Sequence, residues 1–417
     1  MATTYQLIGP FTQLLPLNDL PLRGALKDDS LHIIANGGIL CKDGYIFSIG
    51  QYADLLPTAN ALNAHIEPLN QPMVALPGFV DMHTHICFAG SRARDYAMRN
   101  AGKSYLEIAR AGGGIWDTVQ HTRQATLEEL IQVTMERANR CLAHGVTTIE
   151  VKSGYGLSVE EELKMLRAIQ AANKICEADL VPTCLAAHIL PKDFSGGAHE
   201  AYLNHISETL FPILQAEQLT KRMDVFIEEE AFSPTISKAY LQKAQAMGFD
   251  LTIHADQFHA GGSAVAVELN AQSADHLEAS TDKEIELLAK SDVVAAALPG
   301  ATLGLGCAFT PARKLLNQGA CLAIASDWNP GSAPMGDLLT QTALLGTFEK
   351  LSNAELLAGI TFRAAHALHL PNRGRLQKGF IADIVTFPSQ NYQDIYYYQG
   401  QMKPTKVWKK GNSVSLT

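Results

Sequence analysis

The chain has 417 residues, 47% of them hydrophobic, and a formal net charge of −9. That length and composition suit an ordinary globular protein with room for one barrel-sized unit and a smaller one, and they exclude a disordered chain. The acidic balance and the lack of a long Lys/Arg run argue against a nucleic-acid partner, and no run of about 18 apolar residues is present to span a membrane.

Seven cysteines are scattered at Cys41, Cys87, Cys141, Cys176, Cys184, Cys307 and Cys321. Their number is odd and none forms a Cys-x-x-Cys pair, so neither a disulfide framework nor a thiolate zinc site is expected. No basic segment followed by an apolar core opens the sequence. A cytoplasmic location is the expectation.

Residues 1–72 alternate short apolar runs with turns. Leu31–Leu40 and Tyr45–Gly50 read as strands around the turn Lys42-Asp43-Gly44. Near the other end, Asp383–Phe387 and Lys406–Asn412 read the same way, with Gly379 and Gly411 at turns. The two ends, 1–72 and 372–417, are expected to build one small β-sandwich outside a central unit, 73–371.

The central unit opens at Leu76-Pro77-Gly78-Phe79-Val80-Asp81-Met82-His83-Thr84-His85. Pro77-Gly78 reads as a turn and Phe79–His85 as a strand. Residues two apart on a strand share a face, so His83 and His85 project together, opposite Met82 and Thr84. Such a pair can hold a borderline metal ion.

Seven further strand candidates follow: Thr147–Lys152, Leu180–His188, Asp224–Glu229, Asp250–His254, Gln272–His276, Val293–Leu298 and Cys321–Asp327. Helices separate most of them. Leu127–Ala143 is apolar on one face and stops at Gly145. Ser158-Val159-Glu160-Glu161 reads as a capping box for a helix to about Ile175. Ser233-Pro234 opens a helix through Ala246, and Ser352 caps another. Eight strand–helix units point to an α/β fold, a closed (β/α)8 barrel.

In such a barrel the chemistry sits at the carboxyl ends of the strands. His83, His85, Lys152, His188, the run Glu228–Glu230, His254, His276 and Asp327 all fall there. A single His after an apolar strand is more often a satisfied core residue. Five His and one Asp at one end of one barrel are harder to explain that way. The acidic run is open to two readings, an ion pair with Lys152 or a catalytic role. His144, His199, His205, His259, His366 and His369 lie on helices or loops and read as structural or surface residues. Ala111-Gly112-Gly113-Gly114 does not lead from a strand into a phosphate-binding helix, so it reads as a flexible loop, a candidate lid.

Together these motifs resemble the amidohydrolase superfamily: the Pro-Gly-Phe-Val-Asp-Met-His-Thr-His entry, the later His254 and His276, the late Asp327, and the return segment Lys378–Val385. The likeness is closest to its members that open an imidazolone ring. It rests on Phe88–Arg92, Gly102–Tyr105, Ala111–Ile115, Val151–Leu157 and Ser326–Ser332, and spans nearly the whole chain. It implies one zinc or iron ion per chain on His83, His85, His254 and Asp327. Arg92, Tyr155, His188, Gln257 and Ser332 would contact the substrate 4-imidazolone-5-propanoate. Asn329 and Gly331 would contact the ring-opened product, and a homodimer is the expected assembly.

The implied reaction is hydrolysis of a cyclic amide to N-formimidoyl-L-glutamate, a step in histidine degradation. A metal with an open coordination position brings the pKa of water towards about 7 and polarises a carbonyl. Asp327 and His276 are both candidates for moving the proton, with His188 and Gln257 holding the ring. The planar fork of Arg92 suits the propionate. Related base deaminases carry a Glu where this chain has Gln257. A glutamine amide cannot shuttle protons, which disfavours deamination. The competing readings are another mononuclear amidohydrolase, such as a heterocycle deaminase or a different cyclic amidase, and a non-catalytic scaffold with this fold.

Overall fold

A computed structural model describes residues 3–415, apart from the side chains of Tyr105, Leu106 and Ala109. Sixteen strands are present among the described residues. The first five are β1 (Tyr5–Leu14), β2 (Ile34–Lys42), β3 (Tyr45–Gln51), β4 (His65–Pro68) and β5 (Val74–Pro77). The next eight are β6 (Phe79–Asp81), β7 (Val146–Lys152), β8 (Asp179–Ala187), β9 (Arg222–Phe226), β10 (Asp250–Ala255), β11 (Ser273–His276), β12 (Val294–Ala297) and β13 (Leu322–Ile324). The last three are β14 (Ile384–Phe387), β15 (Lys406–Lys409) and β16 (Asn412–Val414).

Strands β6 to β13 form one sheet in chain order, each parallel to the next. The ring closes just beyond the two end strands. Asp327 N donates to the His83 carbonyl at 3.0 Å, and His85 N donates to the Trp328 carbonyl at 2.9 Å. These bonds revise two sequence expectations. Regular pairing stops at Asp81 and at Ile324, so His83, His85 and Asp327 stand on the closing seam rather than within strands. The seam fixes all three side chains against one another.

The two chain ends make a second, mixed sheet, ordered β16-β15-β14-β5-β1-β2-β3, with β4 also paired to β1. The sheet curls on itself. Phe11 on β1 and Trp408 on β15 lie three strands apart, about 14 Å in a flat sheet, yet their ring centroids are 6.4 Å apart, edge to face. Around them Ile8, Leu14, Ile39, Ile46 and Ile384 form a separate core. The turns Asp43-Gly44 and Lys410-Gly411 have positive φ at both residues, the geometry that suits a two-residue hairpin.

Pro77-Gly78 is not a turn. The chain passes there from β5 in the end sheet directly into β6 of the barrel. Glycine is required because a Cβ at position 78 would lie 2.4 Å from Thr147 Oγ1. Of the expected caps, Ser352 makes a full capping box. Ser158 accepts from Glu161 N, but the Glu161 carboxylate pairs with Lys164 instead of returning to the cap. Ser233 makes no side-chain cap, and Pro234 alone marks that helix start. The seven cysteines are free. No helix among the described residues is long and apolar enough to cross a membrane.

Candidate metal centre

His83, His85 and His254 are the one group of potential metal ligands found among the described residues, and all three are buried. The Nε2 atom of His85 lies 3.3 Å from the Nε2 atoms of both His83 and His254. Asp327 Oδ1 lies 3.3 Å from His85 Nε2 and 3.5 Å from His83 Nε2. Donors about 2.0–2.1 Å from one zinc ion at tetrahedral angles stand about 3.3–3.4 Å apart, close to these four separations. Asp327 Oδ1 is buried and receives no hydrogen bond of good geometry. Its neighbours at 3.3–3.5 Å sit as fellow donors to a cation. The donor set fits a divalent metal ion.

Burial keeps the His83 and His254 rings neutral, as a metal requires. The His83 pKa falls well below its usual value, through burial first and then the charge of Lys152. Burial likewise brings His254 down to about 4, although Asp224 works in the other direction. Burial opposes charge on Asp327, but His85 and the surrounding histidines outweigh it and hold the carboxyl below its usual range.

A second layer of carboxylates orients the ligands. Asp275 Oδ2 accepts from His83 Nδ1 at 2.7 Å, which turns Nε2 towards the centre. Asp224 Oδ2 lies 3.0 Å from His254 Nδ1. Between them Lys152 ion-pairs with Glu150 and Asp224, both at 2.8 Å, and stands 3.9 Å from Asp275. This removes one of the two readings of the acidic run, the ion pair with Lys152. Lys152 pairs with Glu150 and Asp224, not with Glu228–Glu230. Glu228 instead accepts from the backbone N–H groups of Phe258 and His259 and from the His259 ring, while Glu229 is exposed. Glu228 thereby anchors the loop that carries Gln257. The Gln257 amide is half-buried and makes no hydrogen bond to another described residue.

His276 stands against the ligands, its ring centroid 5.3 Å from that of His254. Its φ is +87° and that of Leu277 is +70°. This departure from strand geometry breaks the alternation of β11, so Asp275 and His276 both serve the centre although they are sequence neighbours. Glu278 lies 3.6 Å from His276 Nδ1. Burial would lower the His276 pKa, but Glu278 outweighs it and raises the ring above its usual value.

His188 and Tyr155 flank the other side. The His188 ring stacks on His85 with centroids 5.8 Å apart, and Tyr155 lies 5.5 Å from His188. His188 Nδ1 donates to the Gly154 carbonyl at 2.9 Å, so its Nε2 is an acceptor. Burial brings its pKa down to about 3. Arg92 is buried, and Gly331 packs so close that a Cβ there would lie 2.9 Å from Arg92 Nη1. The Asn329 side chain is engaged in its own loop. It donates to the Asp327 carbonyl at 2.8 Å and accepts from Gly331 N and Ser332 N, both at 2.8 Å.

Sequence reasoning missed Asp275, Asp224, Glu150 and Glu278. A carboxylate within a fully buried stretch of barrel strand was the available signal for the first three. His144, His199, His205, His259, His366 and His369 lie outside the cluster of potential metal ligands.

The Amidohydrolase family profile matches residues 74–414 of the chain. The imidazolonepropionase of Bdellovibrio bacteriovorus is 39% identical over 392 residues, which cover 93% of this chain and 91% of the relative. That of Kosmotoga olearia is 40% identical over 386 residues, covering 92% of each. Among solved structures, the atrazine chlorohydrolase of Arthrobacter aurescens complexed with zinc is similar, with a TM-score of 0.70, 16% identity, and coverage of 98% of this chain and 94% of that one. An adenosine deaminase of Xanthomonas campestris with bound zinc gives a TM-score of 0.67 at 17% identity, covering 99% and 92%. At such identities the structural likeness shows the fold alone. The near-full-length relatives at about two-fifths identity show more: the chain belongs to the imidazolonepropionases, within the amidohydrolase family.

Proposed function

We propose that this chain hydrolyses the ring amide of 4-imidazolone-5-propanoate to N-formimidoyl-L-glutamate, using one zinc or iron ion held by His83, His85, His254 and Asp327. The convergence of three Nε2 atoms and one carboxylate oxygen carries the reading. The bound ion supplies Lewis acidity and a lowered pKa for water.

The chain's own groups supply the rest. Asp327 and His276 have environments that push their pKa values apart, which separates an acid from a base. Asp327 stays a carboxylate and takes the proton of the attacking water. His276, held towards its protonated form by Glu278, donates to the carbonyl oxygen as negative charge develops there. Water oxygen bonds to the carbonyl carbon, the ring C–N bond breaks, and Asp327 returns the proton to the departing nitrogen. Arg92 grips the propionate with the two terminal nitrogens of its fork. Gln257 faces the amidine edge, where it can donate and accept but cannot shuttle a proton.

His188 has one free acceptor, Nε2, so it takes a ring N–H rather than polarising a carbonyl. His188→Phe keeps the ring and removes that acceptor. It is expected to raise KM about tenfold with kcat within a few-fold, as for one neutral hydrogen bond, read from steady-state kinetics.

The test of the function is the decay of imidazolone absorbance with freshly made substrate. Metal-replete protein is expected to accelerate it, chelator-stripped protein to lose the acceleration, and added zinc or iron to restore it. A protein carrying one metal per chain with no acceleration would overturn the substrate assignment.

A further inference from the structure

The glycine segment Ala111–Gly114 has no part in the chemistry above, yet it is not a free loop. Asp95, in the first turn of the helix Ala93–Asn100, is 3% exposed. Its Oδ2 accepts from Arg92 Nε at 2.5 Å and from Gly114 N at 2.8 Å. Gly113 packs so tightly on the same carboxylate that a Cβ would lie 2.2 Å from Oδ1. Gly112 and Gly114 have φ of +89° and +88°, which side chains with a Cβ rarely adopt. Each glycine of the run therefore has its own reason: two for the backbone conformation, one for the approach of Asp95.

One buried carboxylate thus ties two things together. It fixes the guanidinium through Nε, and it closes the glycine segment onto the same point. Arg92 Nη1 and Nη2 make no hydrogen bond to another described residue, and Nη1 stands beside Gly331. The anchored Nε leaves the outer edge of the fork aimed along one direction, as a bidentate carboxylate contact requires.

We infer that Asp95 is a positioning residue for substrate selection: it holds Arg92 at the angle that receives the propionate and latches the glycine segment beside it, so that the arginine and the loop act as one unit. The inference rests on the proposed substrate. Asp95 touches neither the reacting ring nor the metal ligands, so it sets how the acid group is held and not the rate of ring opening.

The experiment compares Asp95→Asn and Gly113→Ala, the second of which wedges the contact apart without changing charge. For each, KM and kcat are measured with imidazolone propionate, and inhibition constants with imidazole-4-propionate and its uncharged analogue imidazole-4-propionamide. Losing the charge-assisted hold on the arginine is expected to raise KM and the propionate inhibition constant about 10–100-fold, with kcat within about threefold and the propionamide constant unchanged. Hydrogen exchange over 112–114 is expected to quicken in both variants.

Equal weakening of acid and amide, or a fall in kcat without a rise in KM, would overturn the inference. So would unchanged inhibition constants. If Asp95→Asn does not fold, Gly113→Ala alone decides by the same criteria. If the unmodified protein leaves imidazolone propionate untouched, the functional reading fails. The inhibitor constants and the exchange rates then still decide the latch.

Discussion

Replacing Asp327 by Asn is expected to lower kcat about 10³-fold or more, with KM within a few-fold, because it removes the base and keeps the shape. Asparagine can still offer an oxygen where Oδ1 sits, 3.3 Å from His85 Nε2. Metal content measured on the same samples separates loss of the ion from loss of the proton acceptor. His276→Gln keeps a hydrogen-bond donor but not the charge that Glu278 supports, and is expected to lower kcat about 10²-fold. The double variant is expected to lose less than the product of the two, since both groups serve one transition state. A larger loss in His276→Gln than in Asp327→Asn, with metal retained in both, would reverse the two roles.

The barrel was legible in the sequence because its strands are short, apolar and separated by helices with clear starts and stops. The helix Leu127–Ala143 matches its expected limits because the apolar face and the Gly145 stop agree. The strand ends were less legible. His83, His85 and Asp327 lie on a closing seam between the first and last barrel strands, and pairing between segments some 240 residues apart leaves no local signal. His276 shows the limit differently. Strand alternation puts Asp275 and His276 on opposite faces, and only the positive φ at His276 brings both to the centre. Histidine adopts positive φ more often than most residues, but that preference is too weak to mark one histidine among fourteen. The glycine run was visible, but its role depends on Asp95, sixteen or more positions earlier, and so it read as a flexible loop.

The carboxylates behind the ligands were the least legible feature, and they carry the second large effect. Lys152 is fully buried among Glu150, Asp224 and Asp275. Burial works against its charge, and those three carboxylates outweigh burial and hold it above the usual lysine range. Asp224 is held below the usual carboxylate range, since His254 and Lys152 outweigh its burial, whereas Asp275 rises to about 6, chiefly through burial. Lys152→Met keeps volume but leaves buried carboxylates without their cation, and is expected to cost about 3–5 kcal/mol at neutral pH. Because the Asp224 pKa is depressed in the folded state, its stabilising share is present above the unfolded pKa near 4 and is lost as pH falls through the folded value. In Lys152→Met that depression is reduced, so the difference from the unmodified protein is expected to hold down to about pH 4 and to narrow as pH falls below it. Asp224 and Asp275 also orient His254 and His83, so the same substitution is expected to weaken metal binding about 10–100-fold, read by competition with a chelator. Lys152→Met protein with unchanged melting temperature and unchanged metal retention would remove the lysine from the support of the centre. A lowered melting temperature with unchanged metal retention would leave it a folding residue only.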